Sequence, residues 1–320
     1  MNGIVIFFRF LFSNKWKIFL TFAMTLLFLI LLFPLSDLND LISSQVSKMT
    51  GNKVFLQFEK MHLNPLSTSI SLEKLYVETP QISSLTSDEL QVSPSISALL
   101  ARKPGGKIIA KGFLKGELEI SIHPSSSANG VDKSKIEVIA SNLSLKEARA
   151  VADISLPIKG ELSLTSQAIA DLTMTEQPEL DLSITILKFE MASTVIPLQD
   201  LGQIALPEIK LGKVELKGRL ANGKFTIENG KLGTNKDELY GEIKGDLSVT
   251  FQNVGGQITP IIGAYNLSLD IKATGPFKEK AKLFLSFLDG YKVDSGFISS
   301  YKFKVSATQM GMPPQFTPLK

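Results

Sequence analysis

The sequence predicts a mainly β protein: an N-terminal transmembrane helix followed by a long curved antiparallel sheet, built as a sandwich or open groove, with a few short helices. Three observations predict it. Apolar and polar residues alternate with period two in run after run between Val54 and Val305. Glycines and Asn-Gly pairs punctuate those runs. One early stretch, IFLTFAMTLLFLILLFPLS, carries no charged residue from Ile18 until Asp37.

That early stretch divides the chain. Its residues 18–36 would rise about 28 Å as a helix, close to the roughly 30 Å of a hydrocarbon core. Ile18, Phe19, Leu20, Leu26, Leu27, Phe28, Leu29, Ile30, Leu31, Leu32 and Phe33 are the residues expected to face lipid. Arg9, Lys15 and Lys17 precede the run, so the positive-inside rule keeps residues 1–17 cytoplasmic and sends 37–320 across the membrane. A cleaved signal peptide is the rival reading. It requires a shorter apolar core and a small-x-small site, whereas Phe33-Pro34-Leu35 follows here. The expectation is therefore a single-pass anchor with the β-rich bulk outside.

Just beyond, Leu38, Leu41, Ile42, Gln45, Val46 and Met49 recur at helical spacing. Ser36 or Asp37 can cap such a helix and Gly51 can end it. This helix packs on the first strands or closes one end of what they build.

From Val54 onward the strands accumulate, roughly fifteen of them by their spacing. Val214, Leu216 and Leu220 share one face, with Lys213, Glu215, Lys217 and Arg219 on the other. Asn222-Gly223 supplies the positive φ angles of a tight hairpin, Phe225 and Ile227 resume the apolar face, and Asn229-Gly230 offers a second turn. A glycine, an acidic residue and two aliphatics recur at Gly116–Ile120, Gly160–Leu164 and Gly245–Val249, spaced too irregularly for a solenoid. Further strands are expected around Leu180–Met191, Leu267–Ile271 and Tyr301–Val305.

Helices are scarce. Ser144 and Glu147 form a capping box for a turn or two up to Val151. PFKEKAKLFLSFLDG places Phe277, Ala281, Phe284, Leu285 and Leu288 on one stripe between Pro276 and Gly290, with a strand over 283–288 as the competing reading. Loops gather at 94–106, 124–133 and 197–207, and the proline-rich tail MGMPPQFTPLK reads as irregular.

Several function classes fall away. The net charge of +3, without a Lys/Arg stripe interleaved with aromatics, argues against nucleic acid. No cysteine is present, and His62 and His123 are the only histidines, so thiolate and His-rich metal sites are not available. No serine lies in Gly-x-Ser-x-Gly, and no phosphate loop accompanies the glycines around 230–245. Asp237 with Glu238, or Asp171 with Glu176, could be imagined as hydrolytic pairs, yet turns and solvated edges explain them. The reading is a non-enzyme with no catalytic, metal-binding or cofactor-binding residues and no cofactor.

A one-sided sheet must cover its apolar face with another sheet, with helices, with a membrane or with a bound apolar molecule. With so few helices the sheet should curl into a sandwich, barrel or open trough. The anchor ending in Phe33-Pro34, the helix with Leu41 and Ile42, the strands after Gly51, LPIKGELSL at Leu156–Leu164, LDGYKV and the late KFKVSAT together resemble the type II secretion system protein N (GspN) family, in its longer variant. The central GRLANGKFTIENGKLGTNKDELYGEIKGDLSV is similar to AsmA-type domains, whose hairpins build a curved β groove held at the inner membrane. The resemblance spans nearly the whole chain, on glycine and aliphatic patterns without a catalytic signature.

It implies an inner-membrane-anchored, periplasm-facing component of the type II protein secretion system. Its role would be assembly or scaffolding, through contacts with other secretion-system subunits. The alternative is an AsmA-like lipid-binding or lipid-transfer protein of the cell envelope, whose groove would hold phospholipid against Leu216, Phe225, Ile227, Leu247 and Phe251.

Overall fold

The computed structural model describes residues 15–32, 38–64, 67–80, 82–125, 132–171, 175–198, 202–254, 257–295, 297–309 and 311–319. The N-terminal helix is α1 (Lys15–Leu32), and α2 (Asn39–Met49) follows. The strands begin with β1 (Phe55–Gln57), β2 (Lys60–Asn64), β3 (Ser69–Thr79) and β4 (Ile82–Pro94). After helix α3 (Ile96–Leu100) come β5 (Gly106–Phe113), β6 (Gly116–Ser125) and β7 (Lys133–Ser144). Helix α4 (Leu145–Val151) leads into β8 (Ile158–Ala170), β9 (Glu179–Met191), β10 (Thr194–Leu198) and β11 (Gly202–Leu206). The second half holds β12 (Ile209–Ala221), β13 (Lys224–Leu232), β14 (Leu239–Val254) and β15 (Gln257–Ala273), then helices α5 (Gly275–Lys280) and α6 (Lys282–Ser286). The chain closes with β16 (Lys292–Ser295), β17 (Ile298–Ala307) and β18 (Gln315–Pro318).

Sixteen of these strands form one antiparallel sheet in the order β1-β3-β4-β5-β6-β7-β8-β9-β12-β13-β14-β15-β17-β16, with β2 also on β3 and β18 also on β17. The hairpin β10–β11 is the other sheet among the described residues. Apart from the edges, nearly every strand pairs with its neighbours in sequence, as short connections favour.

Register turns the alternation of the sequence into two different faces. Directly opposite residues point the same way. One row across the sheet therefore reads Leu72, Leu90, Ala110, Leu118, Ala140, Leu164, Ile184, Leu216, Gly230, Ile243, Leu269, Phe303. The next row on that face reads Ile70, Val92, Ile108, Ile120, Val138, Ser166, Leu182, Gly218, Ile227, Gly245, Leu267, Val305. Neither row contains a charge. On the opposite face a row reads Lys107, Ser121, Glu137, Gln167, Asp181, Arg219, Thr226, Asp246, Asn266, Ser306.

The local signals resolve in different ways. Asn222 (φ 52°) and Gly223 (φ 72°) make the expected two-residue turn, closing on the pair Ala221↔Lys224. Asn229-Gly230 is no turn but lies inside β13 beside a bulge, where a Cβ on Gly230 would stand 2.3 Å from Ile243 Cγ2. The glycine is there for close approach of β14. Gly160 and Gly245 likewise sit within strands, at φ 145° and 141°. Ser144 caps α4 as expected, its side chain accepting from the Glu147 N–H at 3.4 Å. Glu147 pairs with Lys115 instead of reaching back to close the box.

Other expectations are corrected. The stripe Phe277, Ala281, Leu285, Leu288 is buried, but the helix carrying it breaks at Ala281 (φ −103°, ψ 12°) into α5 and α6 and ends before Gly290. Within the expected loop 197–207, Pro197 and Leu198 end β10, Gly202–Leu206 form β11 and 199–201 lie outside the described residues, and 94–106 contains α3. The tail adds β18 to the sheet, because Phe316 lies 5.9 Å from Phe303 and 6.5 Å from Tyr291, ring to ring. In α2 only Leu38, just before it, and Ile42 reach the first core cluster, while Leu41 and Met49 are exposed. The candidate caps Ser36 and Asp37 lie outside the described residues.

Of the expected anchor, residues 18–32 are described as the apolar part of α1, a rise of about 22 Å, and Phe33 and residues 34–36 lie outside the described residues. Among the described residues, no helix is long and apolar enough to cross a membrane.

Gly218 shows how tightly the sheet's middle is packed. A Cβ there would meet Phe225 Cζ at 2.5 Å and the Thr226 carbonyl oxygen at 2.7 Å, so the Phe225 ring uses the space a side chain would fill. Gly218→Ala should cost about 1–3 kcal/mol in denaturant unfolding through overpacking. Gly212→Ala, whose Cβ would meet nothing closer than Asp237 Oδ1 at 3.5 Å, should fall well below that.

Candidate functional site: the apolar face of the sheet

At spacings near 4.8 Å, the two apolar rows cross twelve strands over roughly 50 Å. What covers them differs along the way. At the first edge Phe58, Met61, Leu72 and Leu75 are buried, with Leu38 and Ile42 packed against them. At the last edge Phe277, Ala281, Leu285 and Leu288 of the α5–α6 segment bury Ala273, Tyr301 and Phe303. Both ends are closed by helix because an amphipathic stripe falls there in the sequence.

Between the ends the cover is thinner. Leu220, Phe225 and Ile227 bury one another, with Leu182, Leu216, Leu247 and Phe251 packed partly around them. From β4 to β9 the aliphatics of both rows, Leu90, Val92, Ile108, Leu118, Ile120, Val138, Leu164 and Ile184, are only half-buried. Within those two rows the buried positions of that region are small, Ala110, Ala140 and Ser166, while Leu143 and Met191 are buried nearer the ends of β7 and β9. Neighbouring side chains hide small residues and leave long ones open at their tips. Helix α4 reaches this face at one margin, where Leu145 Cδ1 would meet a Cβ on Gly160 at 3.2 Å.

All five residues expected to line a groove stand on this face in one cluster. They do not play one part: Phe225 and Ile227 are core, whereas Leu216, Leu247 and Phe251 are half-buried. The broader open stretch over β4–β9 was missing from that set. Its signal was present, as Ile-x-Ile and Leu-x-Leu pairs in successive strands, but register is needed to align them.

Of the residues expected to face lipid, Phe19, Leu20 and Phe28 are exposed on α1 and Ile18 is half-buried. Leu26, Leu27, Leu29, Ile30, Leu31 and Leu32 belong to the same helix, and Phe33 lies outside the described residues.

The polar candidates resolve into structure. Asp237 organises its turn, accepting from the Gly212 N–H (3.1 Å), the Thr234 N–H (2.6 Å) and the Thr234 hydroxyl (3.0 Å). Glu238 pairs with Lys280 at 2.9 Å. Asp171 accepts from the Thr175 N–H and hydroxyl, and Glu176 pairs with Lys133 at 2.7 Å. His62 meets Glu73 at 3.1 Å on the surface. Among the described residues, no group of three or more His, Cys, Asp or Glu is placed to hold a metal ion. A cleft of about 470 Å³ on the charged face is lined by Lys213, Lys231 and Lys272 against Glu215, Glu242 and Asp270, a balanced set with no preference for either sign of ligand. The apolar face is the surface that departs from what a water-facing sheet shows.

Comparison of the chain with protein-family models, with curated proteins and with solved structures gives no match.

The charged face sets the pH response. Hydrogen bonds from Lys111, Lys135 and Lys213 hold the carboxyls of Glu89, Glu137 and Glu215 below the ordinary carboxylate range. Glu89 and Glu59 in turn hold the Lys111 and Lys74 ammonium groups above the ordinary lysine range. A depressed carboxylate contributes stability above its unfolded pKa and loses it as pH falls through the folded value; a raised lysine contributes below its unfolded pKa and loses it as pH rises through the folded one. Thermal unfolding should therefore be nearly flat from about pH 6 to 9, fall below about pH 4, and respond weakly to salt because these pairs are exposed.

Proposed function

We propose that this chain is an envelope protein held at the inner membrane by its N-terminal helix, whose sheet serves as an open trough for the acyl chains of lipid, as in the AsmA-type domains it resembles. The observation that carries this reading is the row of half-buried aliphatics from β4 to β9, while the helix-covered clusters among the described residues lie at the sheet's two edges. An acyl chain laid along it would recover about 25 cal/mol for each Å² of apolar surface removed from water.

Support for the anchor comes from α1. Trp16, Leu20, Met24 and Phe28 follow one i, i+4 line while Phe19 and Phe22 point to other sides, and all are between 49% and 80% exposed. A helix apolar all round, with no core to enter, suits a bilayer. Continued through residues 33–36, its uncharged run reaches the length of a span.

The resemblance to the GspN family supports a second reading, an assembly or scaffold role in type II secretion at the inner membrane, with the bulk of the chain in the periplasm. The observation favouring it is that, among the described residues, the sheet is open at both edges, each finished by two short strands, β1 and β2 on β3 and β16 and β18 on β17. Edges of this kind accept a strand from a β-rich partner. The two readings are compatible, since one concerns place and the other work.

A photo-reactive phenylalanine analogue in the full chain separates them in cells. At Ile120 or Ile184, on the open face, it should yield phospholipid adducts, and at Thr185, on the opposite face, it should yield none. Adducts equally frequent at Thr185, or absent from both apolar positions, would remove the trough reading. Adducts between Phe316 on β18 and a secretion-platform subunit would support the scaffold role.

A further inference from the structure

The apolar face continues past the point where most strands stop. β14 pairs with β13 only as far as Ser248↔Lys224, and β15 pairs with β17 only from Tyr265↔Ala307. Beyond those points β14 and β15 pair with each other alone, as a two-stranded ribbon overhanging the sheet. Its composition is unlike the rest: from Leu247 through Leu269 there is no Lys, Arg, Asp or Glu, in a chain 20% charged.

The ribbon's edges are guarded against strand addition. The Val249 N–H donates to the Gly223 carbonyl at 2.9 Å. The Gln177 amide donates from Nε2 to the Phe251 carbonyl (3.0 Å) and accepts from the Phe251 N–H (2.8 Å), taking the place of a neighbouring strand. Because the polar groups of Phe251 point outward, those of its partner Pro260 also point outward, on the other edge, and proline has no N–H to offer. Its face is what the ribbon offers. Val249 and Phe251, packed at the Leu220–Phe225–Ile227 cluster, stand opposite Ile262 and Pro260, and Ile258 follows on the same side. Ile258 is 45% exposed and Ile262 41%.

We propose that this overhanging ribbon is the lip of the trough, over which the acyl chains of a bilayer phospholipid pass in or out. The proposal rests on the trough reading. Three features select this occupant: the ribbon continues the apolar face outward from the Leu220–Phe225–Ile227 cluster, it carries no charge to hold a polar partner, and its guarded edges disfavour a β-strand partner. A bare ribbon does not span a membrane, since its outer backbone groups would lack partners in hydrocarbon, so its contact is with acyl chains at the bilayer boundary.

The chain has no cysteine, so a single introduced thiol reports from one place. Full-length Ile262→Cys (lip), Ile120→Cys (trough) and Thr185→Cys (opposite face) would each carry an environment-sensitive fluorophore. Each would be reconstituted into vesicles of phosphatidylethanolamine and phosphatidylglycerol containing lipid with a nitroxide on its acyl chain. Loss of emission at positions 262 and 120 with none at 185 is the expected result. Loss at 120 alone overturns the lip and leaves the trough standing. Loss at neither overturns both, and loss at 262 alone overturns the trough and with it the lip's role in loading.

Discussion

Register is the constraint on which the rest of this structure depends. A strand's side chains alternate with period two, so a slip of one residue exchanges its two faces. Here twelve strands keep the same phase across roughly 50 Å, with no charge in either apolar row. Phase is restored wherever the pairing shifts. Gly112, Asn142, Gly160 and Lys188 all have positive φ and lie at or beside irregular pairings along one side of the sheet, where β5, β7 and β9 end and β8 begins. Such bulges take up an extra residue without turning the following row outward.

The same constraint explains where the apolar face closes and where it does not. A face built by alternation is apolar along its whole width, but cover must come from other elements, and among the described residues the helix-covered clusters lie at its two edges, with α4 reaching it at one margin. Glycines at 218, 230 and 245 let Phe225, Ile243 and Leu267 settle into the sheet. That accounts for a packed centre under β12–β14 beside an open stretch over β4–β9. The proposed function is placed on the open stretch because a water-facing sheet would gain by covering it.

Much of this was legible in the sequence, and the parts that were not share a cause. Alternation, the Asn222-Gly223 turn and the Ser144 cap are decided within a few residues, and each appears where the sequence places it. Asn229-Gly230 carries the same letters as a turn but lies against Ile243 of the next strand, a neighbour no local pattern announces. The tail enters the sheet because Phe316 finds Tyr291 and Phe303. The site was legible as a face but not as a surface. Phe225 and Leu216 look alike in the alternation, and only Gly218 opposite Ile227 and beside the Phe225 ring makes one of them core.

The central claim is that the face between the two helical ends holds acyl chains rather than a missing piece of protein. The most direct test is an experimental structure of the full chain isolated from its own membrane in a lipid-preserving polymer. The account predicts elongated, tubular density running across the strands over Ile120, Leu164 and Ile184. A bare, hydrated face, or a protein segment seated on those residues, would contradict it.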